Sequence, residues 1–293
     1  MNNSERNLYP IEQCRRFYAD EIRVVAGLDS VALVEAFAMV PRERFLESPP
    51  WHLSSGSSLH PATYRTTNEV RDLYHDVFVA LKSAEFLNNG QPSMIAQLIA
   101  ALNLCAGKRV LHIGCGTGYY SAIIAQMVGP QGAVTAVEID TDLARQATAN
   151  LTDYPNVTVL NADGAAVDPD LSDAILVNAG VTHPRLEWLA NLSESGILVL
   201  PLSVGRSPAA KDAIVVRIAR NGASFVAEPI SILTIYPGAG MRDPAMQKLL
   251  NASFESHAIL RLESLRTDAH DQTDSCLVHA PTFCLSALPA ASK

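Results

Sequence analysis

Positive charge is scarce in this chain: 22 Lys and Arg stand against 30 Asp and Glu, for a formal net charge of −8. Phosphate binding needs clustered cations, and pairs such as Arg15-Arg16 are isolated, so no nucleic-acid partner is expected. Long apolar runs are missing as well. The most apolar helix-length stretch, Met94 to Ala106, is interrupted by Gln97 and Asn103 and falls short of the roughly 20 residues that a bilayer demands, so no membrane partner is expected either. Met1 to Arg6 offers no basic start followed by an apolar segment, which argues against a secretory signal. Cysteine is limited to five, an odd number without tight pairing, and this fits free thiols in a reducing cytoplasm better than a disulfide scaffold. Cys276, His279 and Cys284 follow no common zinc spacing, so no metal is expected. The Gly-x-Ser-x-Gly elbow of serine hydrolases is absent, as is any internal repeat.

What the chain does have is an apolar run, Val110 to Ile113, that ends in alternating glycines at Gly114, Gly116 and Gly118, followed by a helical pattern from Tyr119. Glycine lets backbone approach a ligand closely, and the amides that open a helix are free to donate. A second apolar run, Ala133 to Val137, ends in Glu138 and Ile139 roughly 20 residues on, the spacing at which an acid takes up ribose hydroxyls. A dinucleotide fingerprint would read Gly-x-Gly-x-x-Gly, but Tyr119 occupies the place of its last glycine, which favours S-adenosylmethionine as the cofactor.

Val157 to Asn161 reads as a third strand, leading to Asp163 and Gly164, with the Asp163 carboxylate suited to an adenine amino group. A fourth, Asp173 to Val177, ends at Asn178, and Ile197 to Leu200 supplies a fifth. Such strands, separated by helix-length segments, describe a doubly wound α/β sheet that binds ligand at its switch point. The expected cofactor set is therefore Gly114, Cys115, Gly116, Thr117, Gly118, Tyr119, Glu138, Ile139, Asp163, Gly164 and Asn178.

With Val40-Pro41-Arg42-Glu43-Arg44-Phe45, Gln91-Pro92-Ser93-Met94, the glycine loop, Ala162-Asp163-Gly164 and Gly196 to Pro201, the chain resembles the protein-L-isoaspartate O-methyltransferase family over roughly residues 31 to 236. The resemblance implies a Rossmann-like, mostly parallel sheet of the seven-stranded type. It also implies methyl transfer from S-adenosylmethionine to a protein or peptide carboxylate, the ester then collapsing to a succinimide. Two departures stand out. The family's Thr-Ile-Ser, whose serine sits at the methyl-transfer site, is replaced by Asn88, Asn89 and Gly90, and an acidic position before Ile113 is His112.

The expected acceptor-side residues are Asn89, Gly90, Gln91 and His183, the last in the loop after the fourth strand, where it would serve as base for an alcohol or phenol. A carboxylate needs no base, because it is already anionic at neutral pH. Two alternatives stay open: a specialised O-methyltransferase acting on a peptide or small molecule, and a non-catalytic cofactor-binding regulatory module. The sequence divides into an N-terminal helical cap with a substrate-side hairpin (1–90), a cofactor-binding core (91–236) and a docked C-terminal extension (237–293), with residues 1 to about 60 read as helical.

Overall fold

A computed structural model describes residues 9–54, 64–82, 87–167, 170–204 and 211–290. The segment Met1 to Arg6, part of the stretch to about residue 60 read as helical, and the last three residues of the C-terminal extension lie outside that set.

The chain begins with α1 (Ile11–Ala26) and α2 (Val31–Met39). Gly27 stops α1 in the left-handed region at φ 64°, where Leu28 N–H returns to Arg23 O at 2.9 Å, and Ser30 starts α2 by accepting from Leu33 N–H. On α2, Phe37 is fully buried whereas Val31 is exposed. After α2, residues 51–54 are not helical. They form β1 (Trp51–Ser54), which pairs antiparallel with β2 (Arg65–Thr67) and β3 (Phe78–Lys82), and β4 (Leu87–Asn88) completes a small sheet in the order β2-β1-β3-β4. The Pro49-Pro50 pair ends any helix here, and long-range pairing then decides the conformation.

The main sheet follows α3 (Pro92–Ala100). Its parallel half comprises β5 (Arg109–Ile113), β6 (Ala133–Glu138), β7 (Val157–Asn161), β8 (Ser172–Val177) and β9 (Leu192–Ser203), with α4 (Tyr119–Val128), α5 (Thr141–Asn150) and α6 (Leu186–Ala190) as crossovers. The order β7-β6-β5-β8-β9 places the topological switch between β5 and β8, whose ends lie level, Ile113 opposite Val177. Apolar side chains bury both faces. Ile99, Ile123 and Ile124 pack with Tyr18 and Phe37 on one side, and Leu111, Ile175, Trp188 and Leu198 on the other.

The doubly wound half is thus the expected fold, but the sheet is wider than seven strands and half of it is antiparallel. β10 (Lys211–Asn221) and β11 (Ser224–Ile235) fold back on β9 as a hairpin whose turn contains Gly222 at φ 60°. Past α7 (Pro244–Glu255), β12 (Ser264–Arg266), β13 (Cys276–His279) and β14 (Cys284–Ser286) extend the sheet in the order β11-β12-β14-β13, making ten strands. Antiparallel neighbours need only short turns, so a C-terminal segment can be added to an edge strand without further crossover helices. No helix among the described residues is long and apolar enough to cross a membrane.

Candidate functional site

A cavity of about 550 Å3 opens at the switch point, within the range of small-molecule sites. Its floor is the loop between β5 and α4. Gly114, Gly116 and Gly118 all adopt positive φ (77°, 57° and 93°), where a side chain costs about 1–2 kcal/mol. The cradle is narrow: a Cβ on Gly114 would stand 3.1 Å from Asn178 O, and one on Gly118 would stand 2.7 Å from Leu151 Cδ1. Two amides of the loop, those of Gly114 and Cys115, share Val137 O, and no side chain caps the start of α4 at Gly118.

Glu138 ends β6 and is buried. Its Oε2 accepts from Gly116 N–H at 2.8 Å and its Oε1 from Asp140 N–H at 3.0 Å, so one carboxylate fixes the glycine loop and faces the cavity together. Asp140 caps α5 and pairs with Lys82 of β3, which ties the small sheet to the cofactor side; this pairing holds the Asp140 carboxyl below its usual range. Gly114, Cys115, Gly116, Thr117, Tyr119, Glu138, Ile139, Gly164 and Asn178 all line the cavity. Gly118 does not, and works instead as the residue that lets α4 start against α5.

Two expected residues stand elsewhere. Asp163 is not on the cavity wall, although its neighbours Ala162 and Gly164 are; its Oδ1 accepts from Ala165 N–H at 2.8 Å and its carboxylate abuts Gly240. One of its carboxylate oxygens is thus held within its own turn. His183 does not reach the cavity either. Its ring stacks on Phe283 with centroids 6.1 Å apart, its Nδ1 meets Thr182 Oγ1 at 2.9 Å, and burial with nearby Arg185 lowers its pKa. The loop after β8 is drawn toward the C-terminal strands, which removes the expected base from the acceptor end. Cys115 lies in the loop, but burial and Glu138 push its thiol far up, so it is no nucleophile.

The end expected to take the acceptor is built from the segment after β4. Asn89 is buried, and its Oδ1 accepts from Val79 N–H (3.0 Å) and from Arg42 Nη2 (3.2 Å). Two donors on one oxygen fix the orientation of the amide, and its Nδ2 is buried with no partner among the described residues. Gly90 turns at φ 77°, with its N–H on Asn88 Oδ1 and its carbonyl accepting from Tyr120 OH. Gln91 Nε2 donates to Asp76 Oδ2, while Asp76 also receives the Ser93 amide and hydroxyl at the start of α3. All three residues line the cavity.

Sequence reading missed the residue that organises this end. Arg42 is fully buried and donates to the carbonyls of Leu73 (2.7 Å), His75 (3.2 Å) and Val77 (2.7 Å) as well as to Asn89. Its guanidinium also lies over the rings of Tyr18 and Tyr119, 5.8 and 5.9 Å from their centroids. Arg42 stands in the charged run Arg42-Glu43-Arg44, where nothing in the linear sequence marks this one arginine for such a role. The far wall, Leu233 to Ala239 and Met241, was equally silent because it is contributed by the end of β11 and the turn after it.

Comparison with known proteins bears on the whole of this arrangement. The profile of the family described as Protein-L-isoaspartate(D-aspartate) O-methyltransferase (PCMT) matches residues 21–237. The chain is 30% identical over 224 residues to a protein-L-isoaspartate O-methyltransferase of Roseiflexus sp., covering 75% of this chain and 89% of that one. A second, from Ignicoccus hospitalis, is 30% identical over 174 residues, covering 58% and 72%. A Plasmodium falciparum chain assigned as a protein-L-isoaspartate O-methyltransferase, solved in complex with S-adenosyl-L-homocysteine, shares the fold with a TM-score of 0.59 at 16% identity, covering 76% of this chain and 97% of that one. The matched span holds the glycine loop, Glu138, Arg42, the Asn89 segment and the wall up to Pro237, and on that span the chain belongs to the protein-L-isoaspartate(D-aspartate) O-methyltransferase family.

Proposed function

We propose that this chain methylates a carboxylate oxygen, of isoaspartyl type, on a protein or peptide, with the cofactor on the glycine loop and the acceptor against Asn89. The observation that carries the reading concerns proton acceptors. Among the described residues lining the cavity there is no histidine or lysine, and both carboxylates, Glu138 and Asp140, belong to the cofactor side and are hydrogen-bonded there. Burial raises the pKa of Tyr119 and Tyr120 well above the usual value and that of Cys115 likewise, so none of these three is ionised at neutral pH, and the remaining lining phenol, Tyr236, stands on the far wall just past β11. An acceptor that arrives already anionic suits such a site; an alcohol does not.

S-adenosylmethionine, when bound, supplies an electrophilic methyl on a sulfonium. The remaining work is positional. Gly114 and Gly116 admit the cofactor close to backbone, Glu138 holds the loop and offers its remaining lone pairs to ribose hydroxyls, and Asn89 Nδ2, buried and without a partner among the described residues, supplies a donor for the acceptor carboxylate. Phe78, Leu81 and Met94 exclude water from the acceptor end.

The test is the lability of the label. With radiolabelled cofactor and a mixture of protein acceptors, the incorporated methyl should be released as methanol by mild base, as a carboxyl ester is. A base-stable label would overturn the carboxylate reading.

A further inference from the structure

We propose that His270, Cys276, His279 and Cys284 form a tetrahedral zinc site that clamps the C-terminal strands of the sheet. Their ligand atoms all lie within 4.8 Å of one another, and no disulfide joins the two cysteines. Zinc with two sulfur and two nitrogen ligands, at about 2.3 Å and about 2.0 Å, holds those atoms about 3.3–3.8 Å apart, so the four need to close by about 1–1.5 Å at most.

The fold assembles what linear spacing hides. β13 and β14 pair antiparallel with His279 opposite Cys284, which brings the thiol of one strand beside the imidazole of the other. Cys276 lies at the start of β13, and the loop from β12 folds His270 over it, with Nε2 3.8 Å from Cys276 Sγ. The rings of His270 and His279 meet edge to face, centroids 4.9 Å apart.

The surroundings also match a metal centre. His270 Nδ1 lies 2.9 Å from Asp268 O, a contact in which the ring N–H donates to the carbonyl and leaves Nε2 with its lone pair toward the cysteine. Thr273 N–H donates to Cys276 Sγ at 3.3 Å, a contact that favours thiolate. His279 Nδ1 is buried with no hydrogen-bond partner among the described residues, an expensive state for an imidazole nitrogen unless something takes it up. Two soft thiolates with two imidazoles select zinc over the hard cations. Binding displaces any thiol protons to solvent and changes no oxidation state.

The clamp serves an edge that is short of other support. β12, β13 and β14 run only three or four residues each, and the turn joining β13 to β14 carries Phe283 against His183. Zinc there would hold the loop that follows β8 in place from behind.

Untagged full-length chain, purified under reducing conditions from zinc-supplied cells, should carry about one zinc per chain by mass spectrometry of the metals. Removal by chelator should lower Tm, zinc should restore it, and cobalt in its place should give the visible bands of a tetrahedral ion with a thiolate charge-transfer band. Cys284→Ser and His279→Gln should each lower metal content at least about tenfold, whereas Cys14→Ser with Cys105→Ser should keep it. If the variants fail to fold, the chelator and cobalt measurements on the parent chain decide alone. Chain that carries no zinc and gives no tetrahedral cobalt spectrum overturns the proposal, as does full zinc content in Cys284→Ser or a Cys276–Cys284 disulfide in the protein as isolated.

Discussion

Arg42 Nη2 donates to Asn89 Oδ1 across 3.2 Å, linking a fully buried guanidinium to the amide of a residue that lines the cavity. The same guanidinium satisfies three carbonyls of residues 73–77, so one side chain sets both the loop and the amide. Arg42→Met leaves those carbonyls short of a donor, at about 1–3 kcal/mol each, and should cost about 3 kcal/mol or more of stability by urea unfolding. Asn89→Asp is the sharper functional probe. It puts negative charge where an anionic acceptor sits, and kcat/KM should fall about a hundredfold, about 2.7 kcal/mol, with cofactor affinity within about twofold of the parent. An equal loss of cofactor affinity would place Asn89 on the wrong side of the cavity.

Gly90→Ser restores the residue type that the family carries at this point, yet it should lower turnover. Gly90 sits at φ 77°, and a Cβ there would stand 3.0 Å from Ile95 Cγ1 in the first turn of α3. The left-handed conformation costs a serine about 1–2 kcal/mol before any contact is counted, so the segment should shift and reduce isoaspartyl turnover by about tenfold. Increased turnover in steady-state assays would show that the segment relaxes and that the hydroxyl is what this site lacks.

Glu138→Gln should weaken binding of the cofactor and of its demethylated product by at least about tenfold in calorimetry, or about 1.4 kcal/mol. The carboxylate holds both Gly116 N–H and Asp140 N–H, and an amide presents only one acceptor atom for the two. A 2′-deoxyribose analogue separates loop support from ribose contact: it should lose less affinity with the variant than with the parent. Equal loss in both would assign Glu138 to the loop alone.

His112 makes the fold sensitive to mild acid. Burial pushes its pKa down to about 4 from an ordinary 6.5, and its Nδ1 bonds Ser121 Oγ at 2.8 Å. Above pH 6.5 the residue is neutral folded and unfolded. Between pH 6.5 and 4 the unfolded chain takes up a proton that the folded chain refuses, so stability falls through that window by up to about 3 kcal/mol and levels off below it. His112→Gln should flatten that part of the profile relative to the parent in urea unfolding at pH 7 and pH 5. Parallel losses for both chains would exclude His112 as the source.

The parallel half of the fold was legible because each strand is an apolar run ending in a marked residue: Gly114 after β5, Glu138 on β6, Asn178 after β8. The glycine loop and Glu138 were legible for the same reason, as their chemistry and their spacing coincide. Asp163 and His183 fall outside the cavity lining because strand order says where a chain end goes, whereas local hydrogen bonds decide where its side chain turns. β12 to β14 are too short for periodicity to reveal, and Arg42 acts through carbonyls that carry no sequence signal.

Methyl transfer to an isoaspartyl peptide, measured beside its aspartyl twin with labelled cofactor, tests the central claim most directly. The account predicts base-labile label on the isoaspartyl peptide, little on its twin, and an about hundredfold weaker isoaspartyl signal in Asn89→Asp while cofactor binding persists. No transfer to the isoaspartyl peptide by a chain that binds the cofactor normally would contradict it.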